Sequence, residues 1–185
     1  MRIFCIGRNY VDHVAELNNV MPDDPVVFIK PDSSLWRVAF PPAVGPVHYE
    51  GELVLRLGQH LKPDHMTVGL DFTARELQNK LKEKGLPWEL AKGFDGSAAM
   101  GEWIPFSEQV VKFTLEQNGK VVQIGSTDHL IFSFDKILYF LGQFFELKPD
   151  DVIFTGTPAG VGRCASGDHF VGRIEGNEVL SVRIH

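Results

Sequence analysis

The sequence predicts an α+β fold that is rich in β-strand and forms a single domain. Glycine and proline are frequent, at 18 and 11 of 185 residues, which favours many turns between short strands. Residues 50–57 alternate along their length, with leucines on one face and glutamates on the other, as a strand does. Residues 73–84 and 134–145 have instead the composition and apolar spacing of helices. The length is that of one domain, so residues 1–185 are expected to fold as one unit.

Before residue 50 the local signals are weaker but still indicate regular elements. Short apolar runs bounded by Gly, Pro or Asp are typical of strands. The expected elements are strands at 2–6 and 25–30, a short helix at 9–17 and a polar break at 31–34.

The later segment 73–84 lacks Gly and Pro and ends at Gly85, which suits the C-terminal cap of a helix.

The second half of the chain is predicted to consist of hairpins around one helix. Asn118-Gly119 is a strong hairpin signal and joins expected strands at 111–115 and 121–124. Ser133 is expected to cap the helix that follows it. The chain is then expected to continue with a strand at 151–154 and a hairpin of strands 170–174 and 179–184 around Gly176-Asn177.

Charge and cysteine content limit the functions that the chain can have. Eighteen basic and 24 acidic residues give a net charge of −6, and no basic cluster stands out. We therefore expect no nucleic-acid partner and no binding to an anionic membrane surface. No apolar run approaches the roughly 20 residues of a membrane span, and no leader is visible at the N-terminus. Two cysteines far apart in sequence are typical of a reducing compartment, so a cytoplasmic location is expected.

A carboxylate pair in the alternating strand is the first candidate functional feature. Glu50 and Glu52 lie on one strand face, together with His48. Hard divalent cations take oxygen ligands, so two carboxylates on a rigid support suit a metal site. A solvated strand face, where alternating Glu is ordinary, is the alternative.

The second feature is a polar stripe at the start of the 73–84 helix. Asp71, Arg75 and Gln78 are spaced i, i+4 and i+7, which places them on one stripe of that helix. The guanidinium would suit a substrate carboxylate. A helix-capping Asp followed by an ordinary surface stripe is the alternative.

His13 and Glu16 form an i, i+3 pair in the short predicted helix. A Glu that orients an imidazole is a general-base arrangement, whereas two exposed polar residues on one turn are the alternative. Lys92 lies in an otherwise apolar stretch, where a lysine either extends to solvent or supplies positive charge to an enolate oxygen. The Gly-rich loop 155–162 is not a phosphate loop; it either holds a carboxylate or is a structural turn.

Together these segments resemble the fumarylacetoacetate hydrolase superfamily, and most of all its small branch of acylpyruvate hydrolases and oxaloacetate decarboxylases. The resemblance runs over nearly the whole chain. The motifs, in chain order, are Gly7-Arg8-Asn9-Tyr10 with His13 and Glu16, His48-x-Glu50-x-Glu52, Leu70-Asp71-Phe72-Thr73-Ala74-Arg75 with Gln78, Gly85-Leu86-Pro87-Trp88 with Lys92, and Thr155-Gly156-Thr157-Pro158-Ala159-Gly160-Val161-Gly162.

The resemblance implies a mixed β-roll, a homodimer and bound Mg²⁺ or Mn²⁺. It also implies a role for each matched residue, and it makes residues 8–20 a lid segment of one catalytic domain. The roles are Glu50, Glu52 and Asp71 as metal ligands; Arg75, Gln78 and Thr157 as substrate-binding residues; and His13, Glu16 and Lys92 as catalytic residues.

The chain departs from the family pattern in three places. It is shorter between Glu52 and Asp71, where a helix is missing, and it is shorter around residues 35–40 and 105–111.

The implied activity is metal-dependent cleavage of 2-oxo carboxylates through a pyruvate enolate, as acylpyruvate hydrolysis, oxaloacetate decarboxylation or both. Isomerisation or hydration of 2-hydroxy-dienoates is an alternative within the superfamily. A non-catalytic binding protein with a shortened lid is a more distant alternative.

Overall fold

The computed structural model describes residues 1–16, 20–35 and 37–185. This part of the chain contains 13 strands and four α-helices. The strands are β1 (Ile3–Gly7), β2 (Val26–Lys30), β3 (Val47–Tyr49), β4 (Gly51–Leu57), β5 (Pro63–Asp71), β6 (Ala98–Met100), β7 (Ile104–Pro105), β8 (Lys112–Gln117), β9 (Lys120–Ser126), β10 (Val152–Phe154), β11 (Gly162–Cys164), β12 (His169–Ile174) and β13 (Asn177–Arg183). The helices are α1 (Val11–Glu16), α2 (Arg75–Glu83), α3 (Glu89–Lys92) and α4 (Phe134–Gly142), with 3₁₀ turns at Asp32–Leu35, Pro42–Val44 and Thr127–His129.

Two sheets form the framework, and the predicted β-rich α+β class is confirmed. The larger sheet has the order β2-β1-β10-β4-β5-β6, with β7 also pairing with β5. It is mixed, because β1 and β10 run parallel while the other pairs are antiparallel. The second sheet has the order β13-β12-β8-β9, and β11 pairs with β3 in a separate ribbon.

The main core lies where the two sheets face each other. Leu53 of β4, Val68 of β5 and Phe170 of β12 are all completely buried there. A Cβ added at Gly172 would come within 2.6 Å of the Val68 side chain, so the sheets approach closely at this glycine.

The opposite face of the larger sheet is also buried, and it carries the candidate site. Cys5, Val54 and Phe154 form a smaller apolar cluster on this face. Glu52 lies two residues before Val54 and therefore points to the same side. The prediction of leucines on one face and glutamates on the other is confirmed, whereas the solvated strand face is wrong.

Most predicted elements are present with ends that differ by one or a few residues. The Asn118-Gly119 hairpin, the strand at β10 and the final hairpin are confirmed, and Ser133 accepts a hydrogen bond from the Lys136 amide as the predicted N-cap. The short helix is present as α1, although Leu17, its predicted last residue, lies outside the described residues. The strands that the sequence did not predict are β3, β5, β6, β7 and β11.

The start of α2 is the main correction. Asp71 is the last residue of β5, and α2 begins four residues later at Arg75. Asp71, Arg75 and Gln78 therefore do not form one helical stripe. The polar residues of this segment reflect a strand-to-helix connection, in which Thr73 pairs with His48 through two backbone hydrogen bonds of 2.8 and 2.9 Å.

The connection between β4 and β5 is a turn at residues 58–62, so the segment between Glu52 and Asp71 contains no helix, as the sequence predicts. Of the two other short segments, 105–111 is fully described, and Trp36 of 35–40 lies outside the described residues. None of the helices in the described ranges has the length and apolar character that crossing a membrane requires.

Candidate active site

Three carboxylates meet at one end of the β4–β5 pair. Glu52 is in β4, Glu50 immediately precedes that strand, and Asp71 ends β5. The register pairs Gly51 with Leu70, and the Asp71 amide donates to the Glu50 carbonyl at 2.8 Å. One oxygen from each carboxylate lies within 4.8 Å of the other two. The three residues are between 1% and 5% exposed, so this is a buried acidic cluster.

Lys92, the last residue of α3, links two of these carboxylates. Its ammonium donates to Glu50 Oε2 at 2.8 Å, to Asp71 Oδ2 at 2.7 Å and to the Thr73 hydroxyl at 2.6 Å. The residue is only 3% exposed, so the interpretation of Lys92 as a solvent-reaching lysine is wrong. A buried ammonium next to two carboxylates stays charged: burial alone lowers the pKa of Lys92, but Asp71 and Glu50 outweigh it, and the pKa is raised.

Arg75 and Lys30 supply further positive charge, the first beside Glu50 and the second beside Asp71. Arg75 Nη2 donates to Glu50 Oε1, and Arg75 Nη1 donates to Gln78 Oε1 at 2.9 Å. Lys30, at the end of β2, places Nζ 2.8 Å from Asp71 Oδ1, although this contact lacks the alignment of a hydrogen bond. Lys30 instead donates to backbone carbonyls, including that of Ser97 at 3.0 Å. It therefore anchors the segments that follow β5 and α3.

The carboxylates differ in their electrostatic environment. Burial raises the pKa of Glu50, but Lys92, Arg75 and His13 outweigh it and hold the pKa well below its usual range. Burial raises the pKa of Glu52 well above the usual range, and the charges of Asp71 and Glu50 raise it further. The charge of Glu52 is thus less well compensated than that of Glu50 by the protein's own cations.

The Gly-rich turn after β10 covers the carboxylates. The Gly156 amide donates to Glu52 Oε2 at 2.7 Å. The Thr157 hydroxyl donates to the Gly51 carbonyl at 2.8 Å and accepts from Gln123 Nε2 at 2.8 Å. The turn is both structural and part of the site, because Thr157 also lines the pocket.

Helix α1 closes another side of the pocket. His13 is 5% exposed and its Nδ1 lies 3.2 Å from Glu16 Oε2. Glu16 Oε1 accepts from the Gly160 amide at 3.1 Å, which joins α1 to the Gly-rich turn. The interpretation of the pair as two exposed polar residues is wrong for His13 and holds only for Glu16.

The predicted site residues converge on one pocket. It is lined by every residue that the family motifs assigned, except Glu16, which contacts it through His13. Sequence reasoning assigned no role to several residues that build it, although Arg8, Asn9 and Thr73 stand in the quoted motifs. They are Lys30, which contacts Asp71; Thr73, which contacts Lys92; Asn9 and Gln123, which hold the turns; and Arg8 and Lys82, which line the pocket. The lysine that ends the apolar strand β2 was a visible signal, but no local pattern connects Lys30 with Asp71.

The donor set suits a hard divalent cation. It consists of carboxylate oxygens, and Asp71 Oδ1 is a buried atom that has no hydrogen-bond partner in the described part of the chain. The raised pKa of Glu52 points the same way, because a cation would offset the repulsion that raises it. The residues present therefore fit a divalent metal.

Fold and pocket together define a class: a strand-rich α+β domain with buried acidic, basic and imidazole groups on one face of its mixed sheet. The chain belongs to the fumarylacetoacetate hydrolase family. The family model described as fumarylacetoacetate (FAA) hydrolase C-terminal matches residues 2–184.

Relatives and solved structures agree with this assignment. The oxaloacetate tautomerase YcgM of Escherichia coli K12 is 36% identical over 199 residues, covering 97% of this chain and 91% of the relative. A mitochondrial oxaloacetate tautomerase of Caenorhabditis elegans is 40% identical, covering 90% and 86%. The fumarylpyruvate hydrolase from Pseudomonas aeruginosa, solved in complex with Mn²⁺ and pyruvate, is 35% identical with a TM-score of 0.90, covering 100% of this chain and 89% of that one. A 5-carboxymethyl-2-hydroxymuconate delta-isomerase from Mycobacterium smegmatis is 30% identical with a TM-score of 0.82, covering 99% and 78%.

Proposed function

We propose that this chain is a divalent-metal-dependent enzyme that cleaves 2-oxo carboxylates bearing an activating carbonyl group at C4. The reactions are acylpyruvate hydrolysis, oxaloacetate decarboxylation or both, and each leaves the enolate of pyruvate. The observation that carries this proposal is the convergence of three buried carboxylates, Lys92 and His13 on one pocket. The pyruvate and Mn²⁺ of the Pseudomonas relative support it.

Glu50, Glu52 and Asp71 are the proposed ligands of Mg²⁺ or Mn²⁺. When bound, the metal would supply a Lewis acid for the oxygen that becomes negative as the bond breaks, which is worth several kcal/mol. Mutual repulsion of the three carboxylates favours the binding of a cation between them.

The surrounding residues bind and polarise the substrate. The Lys92 ammonium is fixed by Glu50, Asp71 and Thr73, so it presents positive charge to a developing enolate oxygen without having to reorganise. Arg75, oriented by Gln78, is placed to contact an anionic substrate group. The Thr157 side of the turn would hold the substrate carboxylate.

His13, oriented by Glu16, is the proposed general base. In hydrolysis it would take a proton from the water that attacks the acyl carbonyl. Decarboxylation requires no such water. The dyad is therefore expected to matter far more for hydrolysis.

Access to the pocket requires movement of its walls. The cavity is about 30 Å³, well below the roughly 300–1,000 Å³ of typical ligand pockets. The α1 wall is joined to the Gly-rich turn by the hydrogen bond from the Gly160 amide to Glu16. We propose that residues 8–20 act as a lid on a single catalytic domain, 1–185; residues 17–19 of that segment lie outside the described residues.

Tautomerisation of oxaloacetate is the second candidate function, because the Escherichia coli and Caenorhabditis relatives carry that name. It requires proton transfer between carbon and oxygen, for which His13 and Lys92 are suitable groups. The similarity to the Mycobacterium isomerase supports 2-hydroxy-dienoate isomerisation or hydration as a further alternative.

A non-catalytic binding role is disfavoured, since it would not require this buried set of acid–base groups. A homodimer and a cytoplasmic location remain predictions.

In the test, purified protein with Mg²⁺ is assayed with acetylpyruvate, fumarylpyruvate and oxaloacetate as substrates. Pyruvate release is followed before and after EDTA, and the decay of enol oxaloacetate is followed by ultraviolet absorbance. Chelator-sensitive pyruvate release from any of the three supports cleavage. Enol decay without pyruvate release would support tautomerisation instead, and inactivity on all three would favour the isomerase or the binding role. Asp71→Asn should abolish the activity, whereas the matched control Glu76→Gln, on the exposed side of α2, should leave it unchanged.

A further inference from the structure

We infer that Arg8 and Lys82 form a subsite for a second negative group on the substrate, so that dicarboxylic 2-oxo acids are preferred over those with a neutral acyl group. This inference rests on the proposed function, because the pocket must accept a 2-oxo acid. It concerns two cations that have no assigned role so far: Arg8, which stands in the Gly7-Arg8-Asn9-Tyr10 motif, and Lys82, which lies outside the motifs.

The first observation is the pairing of the cations that line the pocket. Arg75 and Lys92 both bond to Glu50. Arg8 and Lys82 line the same pocket but make no ion pair or side-chain hydrogen bond in the described part of the chain, and Arg8 Nε is enclosed without a partner. The residues outside the described ranges are Leu, Asn, Asn and Trp in type, so none of them is an acidic partner.

The second observation is that these cations stand close enough to repel one another. Burial lowers the pKa of Lys82 to about 8, the charges of Arg8, Arg75 and Lys92 lower it further, and the charge of Glu50 opposes them. The Lys82 ammonium lies 5.1 Å from the centroid of the Trp88 ring, a contact that stabilises a cation but does not neutralise it. An anion bound between Arg8 and Lys82 would offset this repulsion.

The third observation is the backbone of Arg8. Its φ of 60° lies in the left-handed region, which is uncommon for a residue other than glycine. Such conformations persist where neighbouring contacts enforce them and are frequent at ligand-binding positions. Here the side chain of Asn9 holds the backbone conformation of Arg8. Asn9 Nδ2 donates to the Thr155 and Phe132 carbonyls at 2.8 and 3.2 Å, and Asn9 Oδ1 accepts from the Phe132 backbone amide at 2.7 Å. Arg8 is therefore held at the pocket wall at a conformational cost.

The chemistry of the pocket suggests what the pair would bind. A 2-oxo acid placed with its C1 carboxylate and 2-oxo oxygen towards the proposed metal ligands extends its remaining end into the rest of the pocket. A carboxylate at that end would pair with Arg8 and Lys82, whereas a methyl group would leave both cations unpaired. Guanidinium and ammonium groups together suit a carboxylate, because one offers a planar fork of donors and the other a point charge.

The test compares two unreactive ligands that differ only at the distal end. 2-Oxoglutarate and 2-oxopentanoate have the same chain length, and the first carries a carboxylate where the second carries a methyl group. Their affinities for the Mg²⁺-loaded protein are measured by calorimetry. We expect the wild type to bind 2-oxoglutarate about tenfold or more tightly than 2-oxopentanoate, the size of effect that a charge-assisted hydrogen bond supplies.

Variants then assign the preference to the two residues. Arg8→Gln and Lys82→Gln should each remove most of the preference and leave the affinity for 2-oxopentanoate nearly unchanged. Lys80→Gln removes a lysine from the exposed side of the same helix and should keep the preference. Equal affinities in the wild type, or equal losses for both ligands in the variants, would overturn the inference, because the cations would then bind nothing or only the shared carboxylate.

Turnover separates this result from the proposed function. Wild-type protein that releases pyruvate from oxaloacetate but shows no ligand preference refutes the subsite and leaves the proposed function intact. A clear preference that depends on Arg8 and Lys82, in a protein that cleaves none of the three substrates, supports the subsite and refutes the proposed cleavage.

Discussion

Replacing Gly156 by alanine should damage both the stability and the site, and Gly176 offers a matched control. Both glycines have a positive φ, +103° at Gly156 and +81° at Gly176. A Cβ on Gly176 would meet nothing within 4 Å, whereas on Gly156 it would lie 2.7 Å from Asn9 Cβ and 3.2 Å from the Ile6 carbonyl oxygen. Both substitutions therefore place an L-residue at a positive φ, and they differ in the clash.

The expected difference follows from these contacts. An L-residue in the left-handed region costs about 1–2 kcal/mol, which both variants incur. Asn9 is fully buried and held by three hydrogen bonds, so it cannot move away at low cost. Overpacking of this kind costs about 1–3 kcal/mol more. For a chain of this length that corresponds to a melting temperature lower by about 2–4 °C per kcal/mol.

The assay is thermal unfolding of the wild type and both variants, with and without Mg²⁺. Gly156→Ala should unfold at a lower temperature than Gly176→Ala. It should also gain less stability from Mg²⁺, because a displaced turn carries the Gly156 amide away from Glu52. Equal losses of melting temperature in the two variants, with an equal gain from Mg²⁺, would refute the reasoning.

Three further predictions test the acid–base groups. His13→Ala should lower acylpyruvate hydrolysis by about 10²–10⁴-fold, the usual contribution of a general base, with a much smaller effect on oxaloacetate decarboxylation; equal losses in the two pyruvate-release assays would contradict its role. Burial and two neighbouring carboxylates raise the pKa of Glu52, so the metal-free protein should lose stability as pH rises from the ordinary carboxyl range through that raised pKa. Glu52→Gln should flatten this pH dependence and raise the metal-free melting temperature at neutral pH by about 2–4 °C per kcal/mol of relieved repulsion. It should also abolish the gain in melting temperature that Mg²⁺ gives. An unchanged pH profile would count against Glu52 as the group that titrates. Lys30→Met removes a cation from Asp71 and should cost about 3–5 kcal/mol in urea unfolding, whereas a loss as small as that of an exposed lysine would show that the pair contributes little.

The buried charges explain why the site is expected to be costly in the absence of a ligand. Glu50, Asp71 and Lys92 are each less than 6% exposed, and burial opposes the charged form of every one of them. Their mutual contacts offset that cost for Glu50 and Lys92, but Glu52 is left with like charges as neighbours. A protein selected for stability alone would not keep Glu52 there, which is an independent reason to assign it to binding.

Local elements were predictable because their signals lie within a few residues. The Asn118-Gly119 hairpin and the Ser133 cap depend on backbone geometry at the turn or cap itself, and both are present. Strand β5 was missed because its second half, from Met66 to Asp71, is buried on both faces and so shows no alternation. The same omission placed Asp71 on a helix.

The residue types of the candidate site were likewise visible in sequence, since five ordered motifs carry them. What the sequence by itself determined is the elements with a local signal, such as the hairpins and the capped helix α4, and which residues belong to the family pattern. The register between β4 and β5 brings one carboxylate oxygen from each of Glu50, Glu52 and Asp71 within 4.8 Å of the other two. Only the tertiary structure could pair Lys30 with Asp71, or leave Arg8 and Lys82 without an acidic partner at the pocket. The physical reason is one of range: caps and turns are satisfied by neighbours in sequence, whereas a buried charge must find its partner on whichever distant strand or helix the packing brings beside it.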